Sequence, residues 1–263
     1  MTNIIQTSVE LWQSKKISSS QLLRDLFGYD KWIVPISEKA MAEALGNNTM
    51  PAISYSRNEQ GEDSLFIFSD IEVFDAYGKK VGNIDSYYLE VQGSWIFSFP
   101  FKGFTYCNIN ADTPSAIYYG REHFKMLNDT AKAVLIERKL KSFRYVEISG
   151  AALDACLSEI KNYSNFYLII EYSGEKVEPV IAPDDKERHL LAAFTAQDNA
   201  NVFYDPLERN FSGRDFRLAP TGGSLVAQAL LKFNFEGIVF NCIGYSKSVA
   251  FTPQFANFII NAQ

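Results

Sequence analysis

The chain offers few groups for acid–base or nucleophilic chemistry. It has two histidines, His123 within Gly120-Arg-Glu-His-Phe124 and His189 within Arg188-His-Leu190. Either could act as a general base or a metal ligand near neutral pH. No HxxxH or CxxC spacing supports a zinc site, however, and a solvent-exposed or structural role is the plainer reading. Of the three cysteines, Cys107 and Cys242 sit in apolar strand-like stretches, and Cys156 lies on the apolar face of a helical pattern. A nucleophilic thiol needs a neighbouring base or cation to lower its pKa. None is near in sequence, so buried, inert, reduced thiols are expected. The carboxylates Asp70, Glu72 and Asp75, and the pair Asp184 and Asp185, could serve as paired acids, but they read more simply as a helix cap and a solvated turn.

Two other stretches could bind rather than react. Thr221-Gly222-Gly223-Ser224 opens a helical pattern, where free backbone amides and the helix dipole can cradle an anion. No Gly-x-x-x-x-Gly-Lys fingerprint accompanies it, the first half shows no counterpart, and a flexible turn with an N-cap Ser or Thr is the plainer reading. Trp95, Phe97, Phe99 and Phe101 alternate along a stretch that reads as a strand, Gly93–Phe101. On a sheet edge they would form an aromatic binding surface, and in a central strand they would be core. The candidate binding residues are therefore Trp95, Phe97, Thr221, Gly222 and Gly223. No catalytic residue, metal or cofactor is assigned.

The elements that must position these residues recur. Phe99-x-Phe101-x-Gly103 is answered by Phe233-x-Phe235-x-Gly237 at an offset of 134 residues, each followed by an alternating strand pattern. Other blocks follow in the same order: Ile17-Ser18 and Ile148-Ser149 before helices, Pro51-Ala-Ile53 and Pro179-Val-Ile181, Phe68-Ser69 and Phe194-Thr195, and Tyr119 and Phe251. Order preserved while offsets drift is the mark of a duplicated domain whose loops have changed length. The pattern predicts an N-terminal helix (1–16), a first repeat (17–128), a helical connection (129–147) and a second repeat (148–263). Each repeat reads as a helix, a strand, a hairpin and a final strand pair. The fold class expected is α+β, with two similar half-domains, each a small and largely antiparallel sheet with helices. Residues 71–77 read as a short capped helix, 224–232 as a helix, and 196–210 as polar chain with at most one helical turn. Phe99, Tyr106, Phe233, Phe235 and Phe240 are expected in the core.

Composition limits the function. With 47% hydrophobic and 14% aromatic residues the chain is not disordered. A net charge of −6 and the lack of any basic run argue against nucleic acid or anionic lipid as partner. No stretch approaches the 18 or so apolar residues of a membrane span, and the first residues carry no signal-peptide pattern, so a cytoplasmic protein is expected.

Phe166-Tyr-Leu-Ile-Ile170, Val180-Ile181, Leu191-Ala-Ala-Phe194-Thr195, the helical stretch Leu225–Phe235 and Gly237-Ile-Val-Phe-Asn241 together resemble the bacterial SseB-like domain, a family named for enhanced serine sensitivity. The resemblance covers residues 150–260 well and 17–125 weakly. The family carries no agreed catalytic residues, so it transfers no site. It departs here at Gln197-Asp-Asn-Ala-Asn201, where the family has a clear helix. With the missing catalytic motifs and the acidic balance, the expected function is a cytoplasmic, non-catalytic protein-interaction module with a partner of basic character: an adaptor, a regulator or, as the resemblance implies, a toxin-neutralising protein. The alternative from the residues alone is an enzyme whose site lies between the halves and leaves no motif.

Overall fold

The computed structural model describes residues 4–49, 52–57, 60–82, 87–98, 104–145, 151–182, 188–242 and 248–262. The protein is α+β, and it divides into two compact units, Met1–Lys132 and Ala133–Gln263.

The first unit begins with α1 (Ile4–Gln13) and α2 (Ser19–Gly28), the latter capped by Ser18, whose hydroxyl accepts from the Gln21 N–H. Strand β1 (Trp32–Ile36) leads to α3 (Glu38–Asn47), then to the hairpin β2 (Tyr55–Arg57) and β3 (Asp63–Ile67). Helix α4 (Ile71–Val81) is capped by Asp70 and ended by Gly82 in the left-handed region, φ 73°. Strand β4 (Tyr87–Val91), the short helix α5 (Gly93–Ile96), β5 (Phe104–Ile109) and β6 (Ile117–Gly120) complete the sheet elements. A 3-10 turn at Arg121–His123 enters α6 (Phe124–Tyr145), which contains the boundary between the units.

The second unit continues with α7 (Ala151–Asn162), β7 (Phe166–Ser173), β8 (Lys176–Pro179), β9 (Ile181–Ala182) and β10 (Leu190–Phe194). Then come α8 (Gln197–Asn210), β11 (Asp215–Thr221), α9 (Gly223–Lys232), β12 (Gly237–Phe240), β13 (Val249–Phe251) and α10 (Gln254–Asn261).

The same pairing runs through both units. In the second, the order is β11-β7-β10-β12-β13, antiparallel except for the parallel pair β10–β12. In the first, β4 pairs β1 antiparallel, β1 touches the end of β3 through the antiparallel bridge Ile33–Phe68, β3 runs parallel to β5, and β5 pairs antiparallel with β6. Strand for strand, β1, β3, β4, β5 and β6 stand where β7, β10, β11, β12 and β13 stand. Helices α2, α4 and α5 stand where α7, α8 and α9 stand.

One sheet face of the second unit packs Leu168, Leu191, Ala193, Ile238 and Phe240 against α7, α9 and α10; the other packs Ile169, Ala192, Phe194 and Val239 against α8 through Ala200 and Phe203. In the first unit, Ile33 and Phe68 pack on Phe74 of α4, while Trp32, Phe27 and Phe97 form an aromatic cluster toward α2 and α5.

Several expectations need correction. Gly93–Ile96 is helical, not strand, so Trp95 and Phe97 do not alternate along a sheet; Phe99 to Gly103 lie outside the described residues. The polar stretch 197–210 is a full helix, because Asn199, Ala200 and Phe203 supply a narrow buried stripe at helical spacing. Tyr106 and Phe233 are exposed, whereas Phe235 and Phe240 are buried. The offset of 134 for the glycine motif is wrong by three residues. The parallel registers Ile67–Ile109 and Ala193–Phe240 make Tyr106 the counterpart of Gly237.

Candidate functional site

The Thr221-Gly222-Gly223 stretch is a seat for a helix. The Gly223 N–H donates to the Tyr163 carbonyl at 2.9 Å, and a Cβ on Gly223 would lie 1.9 Å from the Ile160 carbonyl oxygen. Glycine is needed for that close approach. The amide that would cradle an anion is thus already used. A counterpart exists in the first unit after all: the Gly93 N–H donates to the Tyr29 carbonyl at 2.7 Å, and a Cβ there would lie 2.4 Å from the Leu26 carbonyl oxygen. The first-unit counterpart has a single glycine, because Gln92 stands where Gly222 does. Phe97 is fully buried between Phe27 and Trp32, and Trp95 is half-buried on α5. The five candidates fall in two places, one in each unit.

Sequence reasoning missed a buried polar constellation that each unit carries. In the first, Asn110 follows β5 in the left-handed region, φ 48°. Its side-chain oxygen accepts the Ser69 N–H at 2.7 Å, and the Tyr29 hydroxyl donates to the Ser69 carbonyl at 2.7 Å. In the second, Asn241 follows β12 at φ 53°, its Oδ1 accepts the Thr195 N–H at 3.0 Å, and the Tyr163 hydroxyl donates to the Thr195 carbonyl at 2.7 Å. Asparagine suits both tasks, since it tolerates positive φ and offers a short amide. Both polar groups of one turn residue are thereby paired at the point where the chain leaves the sheet for a helix. Half of the signal is legible in the sequence: Asn241 closes the Gly237–Asn241 strand motif, whereas an offset of 134 residues does not lead to Asn110.

The second unit adds a carboxylate. Glu137 of α6 is buried, and its Oε1 accepts from the Thr195 hydroxyl at 2.5 Å and the Asn199 amide at 3.1 Å. A buried acid whose Oε1 is held by hydroxyl and amide donors belongs to a packed network, where each partner holds the next.

The histidines stay apart from these networks. His123 is exposed, its Nδ1 3.3 Å from Glu122 Oε1. His189 is exposed, and its backbone N–H donates to Glu236 Oε2 at 2.7 Å. Burial pushes the Cys107 thiol up to about 12 and raises that of Cys156. Among the described residues none of the three cysteines forms a disulfide.

An open polar cleft of about 440 Å³ lies in the first unit, lined by Gly61, Glu62, Asp63, Thr105, Tyr106, Arg121 and Glu122. Three carboxylates face one cation. Asp63 forms a paired ion bridge with Arg57 (2.6 and 2.9 Å), which holds its carboxyl below the usual range. Arg121 reaches the Phe104 carbonyl and the Thr105 hydroxyl at 3.4 Å each.

The first unit also exposes tyrosines on its strands: Tyr87 and Tyr88 of β4 at 42% and 41%, Tyr106 of β5 at 39%, and Tyr118 of β6 at 59%. The registers put Arg217, Leu218, Gly237 and Ala250 at the equivalent places of the second unit. The two units share a frame and differ in what they present.

No protein-family model matches the chain, and no curated protein matches it. Among solved structures, the chain is similar to Anabaena Tic22 (protein transport), at 9% identity and a TM-score of 0.19, over 83% of this chain and 87% of that one. A likeness that slight supports neither a fold nor a function. Among the described residues, no helix is long and apolar enough to cross a membrane.

Proposed function

We propose that this protein is a non-catalytic protein-interaction module of the cytoplasm, built by tandem duplication of an SseB-like domain and acting as an adaptor, regulator or toxin-neutralising protein. The observation that carries the reading is the set of four exposed tyrosines on the strands of the first unit, at positions where the second unit has other residue types. Tyrosine gives large contact area at low conformational cost, which is why it is enriched in binding surfaces. The duplication reading is supported by the paired Tyr–Ser/Thr–Asn networks and the paired helix-seating glycines, which recur in order along the chain.

A basic protein suits the electrostatics better than nucleic acid does. The first unit holds 16 Asp and Glu against 12 Lys and Arg, and its cleft is acid-lined. Such a field accelerates encounter with a cationic partner and repels phosphate.

The test is cross-linked capture of the full chain from its native cell, with alanine at His123, His189 and each cysteine as controls. A stoichiometric protein partner is expected, and the cellular phenotype should survive all five substitutions in folded protein. Loss of function from any one of them would sink the non-catalytic reading, as would the absence of any stoichiometric complex.

A further inference from the structure

The pairing of β1 with β4 fixes which backbone groups of β4 face outward. In an antiparallel ladder, residues alternate between hydrogen-bonded and non-hydrogen-bonded pairs. Ile33 exchanges both of its backbone bonds with Phe68, at 2.8 and 2.9 Å, on the side of β1 away from β4. Pro35 has no N–H, and its carbonyl accepts from the Ser54 N–H at 2.9 Å, again on that far side. Their cross-strand neighbours are Glu90 and Tyr88 respectively. These two residues therefore aim their N–H and C=O groups out of the sheet. Among the described residues β4 pairs with β1 alone.

The second unit closes the equivalent edge. There β11 pairs with β7, Tyr167 pairs with Phe194 of β10, the Ile169 carbonyl accepts from the Val180 N–H at 2.8 Å, and the outward positions of β11 fall on Leu218 and Pro220. Pro220 has no N–H to offer, where Glu90 offers one. Asp215 and Arg217 further guard the strand with a paired ion bridge at 2.7 and 3.0 Å. Proline and charge are the usual protections of a free edge. On the shared frame, one edge is blunted, and the other has no partner strand among the described residues and is flanked by two half-exposed tyrosine rings.

The open edge is also acidic. Glu90 is exposed on it, and Tyr29, close behind, has its phenol raised by burial and then by the carboxylates of Asp70 and Glu90. Tyr88 and Glu90 share one face of β4, and Tyr88 packs edge-on to Phe74 with centroids 5.8 Å apart.

We propose that the outer edge of β4 receives an extended segment of a basic partner protein as an added strand. The segment exchanges backbone hydrogen bonds with Tyr88 and Glu90 and sets cationic side chains against the Glu90 carboxylate and the Tyr88 ring. The proposal rests on the protein-interaction reading and names where and what that interaction takes.

The probe is a synthetic peptide of alternating valine and lysine, titrated into the full chain at low salt. It should bind saturably, and an alternating valine–glutamate peptide should not. Hydrogen exchange at the Tyr88 and Glu90 amides should slow on binding, a readout that needs no variant. Glu90→Pro copies the closed edge of the second unit at a position where the fold accepts proline, and should weaken binding at least tenfold with little change in melting temperature. Unchanged amide exchange at both residues, or undiminished binding by folded Glu90→Pro, would overturn the edge site. A dimer of the full chain that Glu90→Pro converts to monomer would overturn the heterotypic partner. If the partner captured from the native cell stays bound to Glu90→Pro, the edge inference falls while the protein-interaction reading stands. If the wild-type chain captures no partner, that reading falls with it.

Discussion

Asn110 and Asn241 each hold a turn that the sheet ladder cannot reach. Removing the Asn241 amide strands the buried Thr195 N–H and asks alanine to hold φ 53°. Asn241→Ala should therefore destabilise by about 2–4 kcal/mol in urea unfolding, and Asn241→Gly by less because the backbone term is relieved. Equal losses would mean that the turn needs only the backbone conformation. Cys107 is the second test at this scale. Burial pushes its thiol from the ordinary 9.0 up to about 12, because it disfavours the thiolate. A folded pKa raised above the unfolded one gives stability that is complete below pH 9 and lost as pH rises toward 12. The expected slope is about 1.4 kcal/mol per pH unit inside that window. Cys107→Ala should flatten the alkaline limb between pH 9 and 10, although its lost packing lowers stability throughout. A limb unchanged in slope would place the titration elsewhere.

At the scale of elements, α9 is seated by one glycine and not by the pair. Gly222→Ala places its Cβ 3.7 Å from the Tyr163 carbonyl oxygen, an ordinary contact, whereas Gly223→Ala drives a Cβ into the Ile160 carbonyl. Gly222→Ala should be close to neutral and Gly223→Ala should cost about 1–3 kcal/mol or more, since backbone and not a flexible side chain must move. Comparable melting temperatures for the two variants would show that the helix is not seated this way. The elements differ in how plainly the sequence announces them. Helix α4 with its Asp70 cap and α9 are declared by local pattern, as is the existence of the β2–β3 hairpin, although its first strand lies at Tyr55–Arg57 and not at 50–55. Helix α8 is not: Pro206 and its polar residues hide a buried stripe three residues wide, and only the sheet face formed by Ala192 and Phe194 makes that stripe worth folding. Strands β4 and β11 carry exposed and charged residues because they are edges, so they lack the apolar alternation that marks an interior strand. The candidate site suffers the same way. The open edge is a property of hydrogen-bond direction, set by Pro35 and Ile33 across the ladder, and no pattern within 87–91 reveals it.

At the scale of the whole chain, the second unit has the means to fold by itself. Its sheet is covered on both faces, by α7, α9 and α10 on one side and α8 on the other. The part of α6 that belongs to it contributes Ala133, Ile136 and Leu140 to the same core, together with the buried Glu137. A cut between Lys132 and Ala133 would divide α6 but leave these residues with their own unit. At 131 residues the fragment 133–263 is of ordinary domain size and can bury most of the surface its unfolded chain exposes. It should give a cooperative urea transition, dispersed methyl resonances from Ile136, Leu140, Ile160 and Ile238, and slow exchange at the Thr195 and Asn241 amides. The Thr195 amide is the informative one, because its protection depends on Asn241 and therefore on native tertiary structure rather than on helix or strand alone. A fragment that keeps helical circular dichroism but exchanges the Thr195 amide at the rate of an unstructured peptide would mean that residues before 133 are needed to close the second core.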